Sequence, residues 1–433
     1  MSAEIIDRNA KGFTVQITVS YNRSMLDFEE TLQKELNAAG VLATQEGLQQ
    51  FDTDGAPITV GSVTFTTKGQ FPKDYQTPYG VAAVKRHVYQ SPRGGATYCP
   101  LERDARIIVT STPKFAKMVS SKYAAFGSPG VHRDLEDNHA RSASRCLIQD
   151  LSDAVAAVAL AKEEDWSYHL PKLDKPVQTV AVSMDGTCTY LCDDGYRETM
   201  VGTIGFYDRE GERQHTIYLG ATPEYGKATF LDRLEREVKH VKEKYPDVSY
   251  VGLADGAKCN WEFLERHTQS QVVDFWHAAK YLGEAAAVFY RSDKEMRERW
   301  LDTNCHTLKH EPGGAAAVLK QLKTLAASRP RAKDHEDVRA AITFFENQSQ
   351  AGRMDYASHV LKKEPIGSGM TEAACKVIVK QRLCCSGMKW KDRGAAAVLS
   401  LRCLNKTEDR WEQFWRKIDR WGFPLAAEYP LAA

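Results

Sequence analysis

Apolar and polar residues alternate along the chain with two different periods, and the places where the period switches divide it. Residues 1–110 mix the two. Ser24 precedes Leu26, Phe28, Leu32 and Leu36 at roughly helical spacing and is placed to cap a helix. Ile58, Val60, Val63 and Phe65 have strand spacing. So do residues 81–89, which turn at 92–95 into a short run at 96–99. Thr112-Pro113 reads as an N-cap and a first helical residue. Helices are expected from there to about residue 125, from Gly127-Ser128-Pro129 to about residue 139, and from Ser142 or Ser144 through residue 162. Three short helices over 111–165 fit a DNA-contacting helix-turn-helix, and fit equally a helical spacer packed on its neighbour. Pro171 and Pro176, in a stretch without periodicity, mark a boundary at 166–176.

Residues 177–277 read as strands at 177–184, 197–207 and 212–219, the last two joined through a hairpin signal at 208–211. A helix at 228–244 turns Leu231, Leu234 and Val238 inward. Then come a strand at 248–254, a short helix at 260–267 and a strand at 271–275. The order β-β-β-α-β-α-β is that of the ribonuclease H fold. The predicted class is therefore α/β, an RNase H-like mixed five-stranded sheet with α+β and helix-turn-helix-like regions before it. An all-α insertion over 278–362 interrupts it, with breaks at Gly313-Gly314 and Pro330. Residues 363–433 supply a closing helix and further helices rich in Lys, Arg and Trp.

Composition narrows the class. The chain has 433 residues, 42% apolar and 27% charged, which suits two to four globular domains and excludes wholesale disorder or a fibrous rod. The longest apolar run, 154–161, is too short to span a bilayer, so no membrane partner is expected. Ten scattered cysteines without a Cys-x-x-Cys, and no secretory pattern at the start, suit reduced thiols in a cytoplasmic setting. Cys188 and Cys192 read as packing residues, and Cys305-His306 with His310 lacks a fourth zinc ligand. Net charge is +1, yet from Lys362 to Arg420 there are 14 Lys/Arg against 7 Asp/Glu. Lys376, Lys380, Arg382, Lys389, Lys391 and Arg393 lie there, interleaved with Trp390, and are the candidate phosphate contacts. A solvated helix face is the plainer account of such a run.

The candidate chemistry lies in carboxylates. Asp185 is expected at the end of the first strand of this sheet and Asp255 at the end of the fourth, each followed by Gly. In this strand order those strands are neighbours, so the two charges would repel unless a cation lay between them. Hard divalent ions take oxygen ligands, and a pair of them clamps an in-line phosphoryl displacement, so Mg²⁺ or Mn²⁺, two ions, is the cofactor expected. An Asp-Gly at a strand end is also an ordinary turn. Glu372 supplies a third ligand from a helix start after Gly367-Ser368-Gly369, where the glycines let a backbone approach closely; it is also an ordinary first-turn Glu. Asp274 and His277 form an Asp-x-x-His that reads as supporting the site or as an N-cap with a buried histidine.

Five runs together resemble a known family: Asp185-Gly-Thr, 195–202, Leu253-Ala-Asp-Gly-Ala, Asp274-Phe-Trp-His-Ala, and 366–376 containing Gly-Ser-Gly-Met-Thr-Glu. The chain, over about 80–400, is similar to the ISKra family of bacterial insertion-sequence transposases, relatives of the Mutator-type DDE transposases. The resemblance implies an RNase H-like domain with Asp185, Asp255 and Glu372 as metal-binding catalytic triad and an all-α insertion before the Glu. It implies a bacterial, nucleoid-associated enzyme acting on double-stranded DNA, at element ends and target, as a dimer. The family's Cys-x-x-Cys is reduced here to Cys99. Other readings are an RNase H-like nuclease without strand transfer and a DNA-binding regulator derived from a transposase.

Overall fold

The structure is a computed structural model and describes residues 3–224 and 227–422. Its contacts divide the chain into two units. The first runs to Ser167 and adds Ser400–Asn405 and the segment from Arg410; the second holds Tyr168–Leu399 and Lys406–Asp409.

In the first unit, β1 (Ala3–Asn9) and β2 (Gly12–Ile17) form an antiparallel hairpin absent from the sequence expectation: β1 is mostly exposed and polar, and the alternation of Phe13, Val15 and Ile17 in β2 is short. Ser24 caps α1 (Met25–Gln49), its Oγ accepting the Asp27 N–H at 3.4 Å, and the helix runs a dozen residues past Leu36. β3 (Ile58–Val60), β4 (Val63–Gln76) and β5 (Val81–Gln90) form an antiparallel sheet, followed by α2 (Pro100–Asp104). Then come α3 (Pro113–Ala125), α4 (Ser128–His139) and α5 (Arg145–Ala161). Proline opens the first two, and Ser144 Oγ caps the third by accepting the Leu147 N–H at 3.2 Å. Phe115, Val119, Tyr123, Val131, Leu135, Ile148 and Val155 are buried on these helices.

The second unit is built on a mixed sheet. β6 (Thr179–Leu191), β7 (Gly195–Tyr207) and β8 (Arg213–Ala221) run antiparallel as a meander. Asp208 shapes the last turn by accepting the N–H groups of Glu210 and Glu212. α6 (Ala228–Lys244), β9 (Ser249–Ala254), α7 (Lys258–His267) and β10 (Ser270–Val273) follow. β9 pairs parallel with β6, and β10 parallel with β9, giving the order β10-β9-β6-β7-β8. α6 buries Phe230, Leu234, Val238 and Val241. Leu231, expected inward, is only partly buried.

From Phe275 to Leu361 every regular element is helical: α8 (Phe275–Phe289), α9 (Lys294–His310), α10 (Gly314–Ser328), α11 (Pro330–Lys333), α12 (Glu336–Gln350) and α13 (Tyr356–Leu361). α14 (Gly369–Ala374) continues through a π-helical segment (Cys375–Lys380) into α15 (Gln381–Leu383). α16 (Asp392–Lys406) and α17 (Arg410–Trp421) end the described chain.

Two glycines of β7 let helices close on opposite faces of the sheet. A Cβ on Gly202 would lie 3.1 Å from Phe230 of α6, and one on Gly205 would lie 2.6 Å from Met370 Sδ of α14. The Thr203 and Thr371 hydroxyls meet at 2.6 Å and fix α14 to the strand. The fold is thus α/β with a mixed five-stranded sheet. Among the described residues no helix is long and apolar enough to cross a membrane.

Candidate active site

The parallel register of β6 on β9 ends at Ser183 opposite Leu253. Asp185 and Asp255 each follow two residues later in the chain, and the charge of Asp255 reaches Asp185. They differ in setting. β9 stops at Ala254, Gly256 takes φ 120°, and Asp255 Oδ1 accepts the Ala257 N–H at 3.2 Å, a turn as one reading allowed. β6 does not stop at Asp185 as expected; it continues to Leu191, with Asp185 opposite Val201 of β7. The antiparallel hairpin outruns its parallel neighbour, and Asp185 lies just beyond β9, where the sheet edge opens.

Asp185 Oδ1 accepts the Gly186 N–H at 2.7 Å, and Cys375 Sγ donates weakly to Oδ2 at 3.6 Å. Burial, and then the charge of Asp255, push the Asp185 carboxyl above its usual range, against the pull of Gly186, Cys375 and His277. Burial and Asp185 in turn push the Cys375 thiol up to about 12.

Asp274 is the N-cap of α8 and is fully buried. Its Oδ1 accepts the His277 N–H at 2.8 Å, and its Oδ2 accepts the Ser368 N–H and, at 2.7 Å, the Ser368 hydroxyl. Burial alone would raise this carboxyl; the hydrogen bonds from His277 and Ser368 outweigh it and hold it at about 2. One carboxylate thereby ties the start of α8 to the start of α14. Across that tie, His277 Nδ1 lies 3.4 Å from Asp274 Oδ1 and 3.8 Å from Glu372 Oε1. The Asp274 carboxylate facing the ring is the main cause raising the imidazole above its ordinary value. Asp274, His277 and Glu372 are, among the described residues, the group whose ligand atoms all lie within 4.8 Å of one another.

Asp185, Gly186, Thr187, His277, Glu372, Cys375, Lys376, Lys380 and Gln381 line one open cleft of about 770 Å³. Two of the expected triad, Asp185 and Glu372, share it with His277. Asp255 is not among its lining residues; it acts on Asp185 and His277 through its charge. Lys376 and Lys380 face the cleft, and Lys389, Lys391 and Arg393 are exposed.

Other expectations need correction. Arg382 is 1% exposed, its guanidinium packed 5.1 Å from the Trp390 ring, so it cannot reach a phosphate. Residue 382 lies two positions, more than half a helical turn, from Lys380 and so faces the interior together with buried Leu383. The glycines before Glu372 do not serve a close approach. A Cβ on Gly369 would meet nothing within 4 Å, and one on Gly367 only ordinary contacts. Cys188 and Cys192 are exposed rather than packed. Ser368 was legible as a helix start, but its hydroxyl goes to Asp274, 94 residues away, and that separation leaves no local signal.

Comparison with models of known protein families gave no match to this chain, and comparison with curated protein sequences gave none either.

Proposed function

We propose that the protein is a DNA transposase of the DDE type on an RNase H-like core, cleaving DNA at insertion-sequence ends and joining it to a target. The observation that carries the reading is that Asp185, His277, Glu372, Lys376 and Lys380 line one cleft. Its donors suit a hard divalent cation. Asp185 and Glu372 offer carboxylate oxygens, and a bound cation would relieve the repulsion by which Asp255 raises Asp185. Asp185, Glu372 and Asp255 would hold Mg²⁺ or Mn²⁺, two ions, which when bound polarise a phosphodiester and favour ionisation of water.

The chain's own residues bind and orient. Lys376 and Lys380 sit one turn apart beside Glu372 and suit adjacent phosphates of a strand. With Asp274 Oδ1 3.4 Å from Nδ1, a proton on His277 would sit on that nitrogen, and Nε2 would accept one from the attacking group. Water adds to phosphorus as the P–O3′ bond breaks, leaving a 3′-hydroxyl and a 5′-phosphate. That 3′-hydroxyl then attacks a target phosphodiester and displaces a target 3′-oxygen. Double-stranded DNA is the substrate, and a dimer on DNA would supply one cleft for each element end.

The test uses the DNA flanking the gene as substrate, with Mg²⁺ and a plasmid target. The reading predicts joined products, lost in Asp185→Asn and Glu372→Gln. Cleavage without joining would make the protein a nuclease, and binding without cleavage would make it a regulator.

A further inference from the structure

Trp276 has no role in the account so far. It lies between the two residues of the Asp-x-x-His, in the first turn of α8. Its neighbour Phe275 is buried and meets Tyr356 edge to face at 5.3 Å, and His277 faces the cleft. Trp276 is 69% exposed, the most exposed of the eight tryptophans. The ring rests on Gly367, where an added Cβ would sit 3.4 Å from Trp276 Cδ1 and 3.6 Å from Nε1. Its edge contact with Phe275, at 5.6 Å and 75°, sets its tilt. The ring is therefore seated against the segment that leads into Glu372, and most of its surface is left to solvent. One edge of the ring is held on Phe275 and Gly367, and its exposed face is open to a partner from solution.

We infer that Trp276 is a stacking platform for an unpaired base beside the cleft. The inference rests on the DNA reading above and deepens it: the substrate is duplex DNA with a base displaced from its helix next to the bound phosphates. The chemistry fits on three counts. Every base has a π-face that an indole can cover, whatever its sequence. Lys376 and Lys380 line the same cleft as His277 and would hold the strand by its backbone, while Trp276, one residue before His277, takes the base. A base pulled from the stack also loosens the backbone beside it, so that the neighbouring phosphate can approach Lys376 and Lys380.

The test uses two 40-base-pair duplexes of one arbitrary sequence, one fully paired and one carrying a two-nucleotide bulge with 2-aminopurine in the bulge. The protein should bind the bulged duplex roughly ten- to a hundredfold more tightly and quench the 2-aminopurine. Trp276→Ala should bring the ratio of the two affinities close to one and abolish the quenching, while Trp276→Phe keeps part of both. Equal wild-type affinity for the two probes overturns the platform and leaves the DNA reading standing. No binding to either probe overturns both. A preference that persists in Trp276→Ala, or a Trp276→Ala protein whose only change is a dimer falling to monomer, assigns the ring to another role and overturns the inference.

Discussion

Asp274 does two jobs with one buried carboxylate: it caps α8 and receives both donors of Ser368. Asp274→Ala removes the cap and leaves the Ser368 N–H and hydroxyl buried without that acceptor. The expected loss is about 3 kcal/mol, read as a lower urea midpoint at unchanged slope. Its folded value of about 2 lies below that of the unfolded chain, near 4. The stability this provides is thus present in full above about pH 4 and is lost as pH falls toward 2. Unfolding free energy measured from pH 5 to pH 2 should fall by about 2 kcal/mol more in wild type than in Asp274→Asn. The carboxylates and the Asp-x-x-His were visible in the sequence as residue types at strand and helix ends. What they bond to was not, because Ser368 and Cys375 reach Asp274 and Asp185 across 94 and 190 residues.

At the scale of elements, the helix from Gly369 to Leu383 divides the basic residues that the sequence ran together. Lys376 and Lys380 face the cleft; Arg382 packs inside on Trp390, whose indole N–H donates to Leu383 O at 3.1 Å. Lys376→Ala with Lys380→Ala should flatten the log–log salt dependence of DNA binding by roughly one to two units. Arg382→Ala should leave that slope alone and instead lower stability by about 2–3 kcal/mol, through a cavity beside Trp390. Counting charges could not separate these cases, since a helix face is set by packing partners as well as by period, and a π-helical segment shifts the period here. α14 itself depends on Gly205. Gly205→Val would press on Met370 and push Glu372 away from His277. It should reduce Mg²⁺-dependent cleavage at least tenfold while DNA affinity falls much less.

For the whole molecule, the β-β-β-α-β-α-β order and the run of helices from 275 to 361 were legible because buried strands and amphipathic helices carry strong periods. The first hairpin and most of β4 were not, because they are largely exposed. The last helix was read as part of the sheet-bearing half, but its contacts place it with the first unit; its Phe414 and Trp415 meet Trp411, and Phe414 meets Trp166, a union that local pattern does not encode. The central claim is that the cleft of the second unit cuts DNA by means of its carboxylates. The most direct measurement is nicking of supercoiled plasmid by the purified chain with Mg²⁺, beside Asp185→Asn, Asp255→Asn and Glu372→Gln proteins that melt at the wild-type temperature. The account predicts nicking by wild type alone, stopped by EDTA, with DNA retained by all four proteins. Nicking that survives in Asp185→Asn, Asp255→Asn or Glu372→Gln, or that proceeds equally in EDTA, would contradict it.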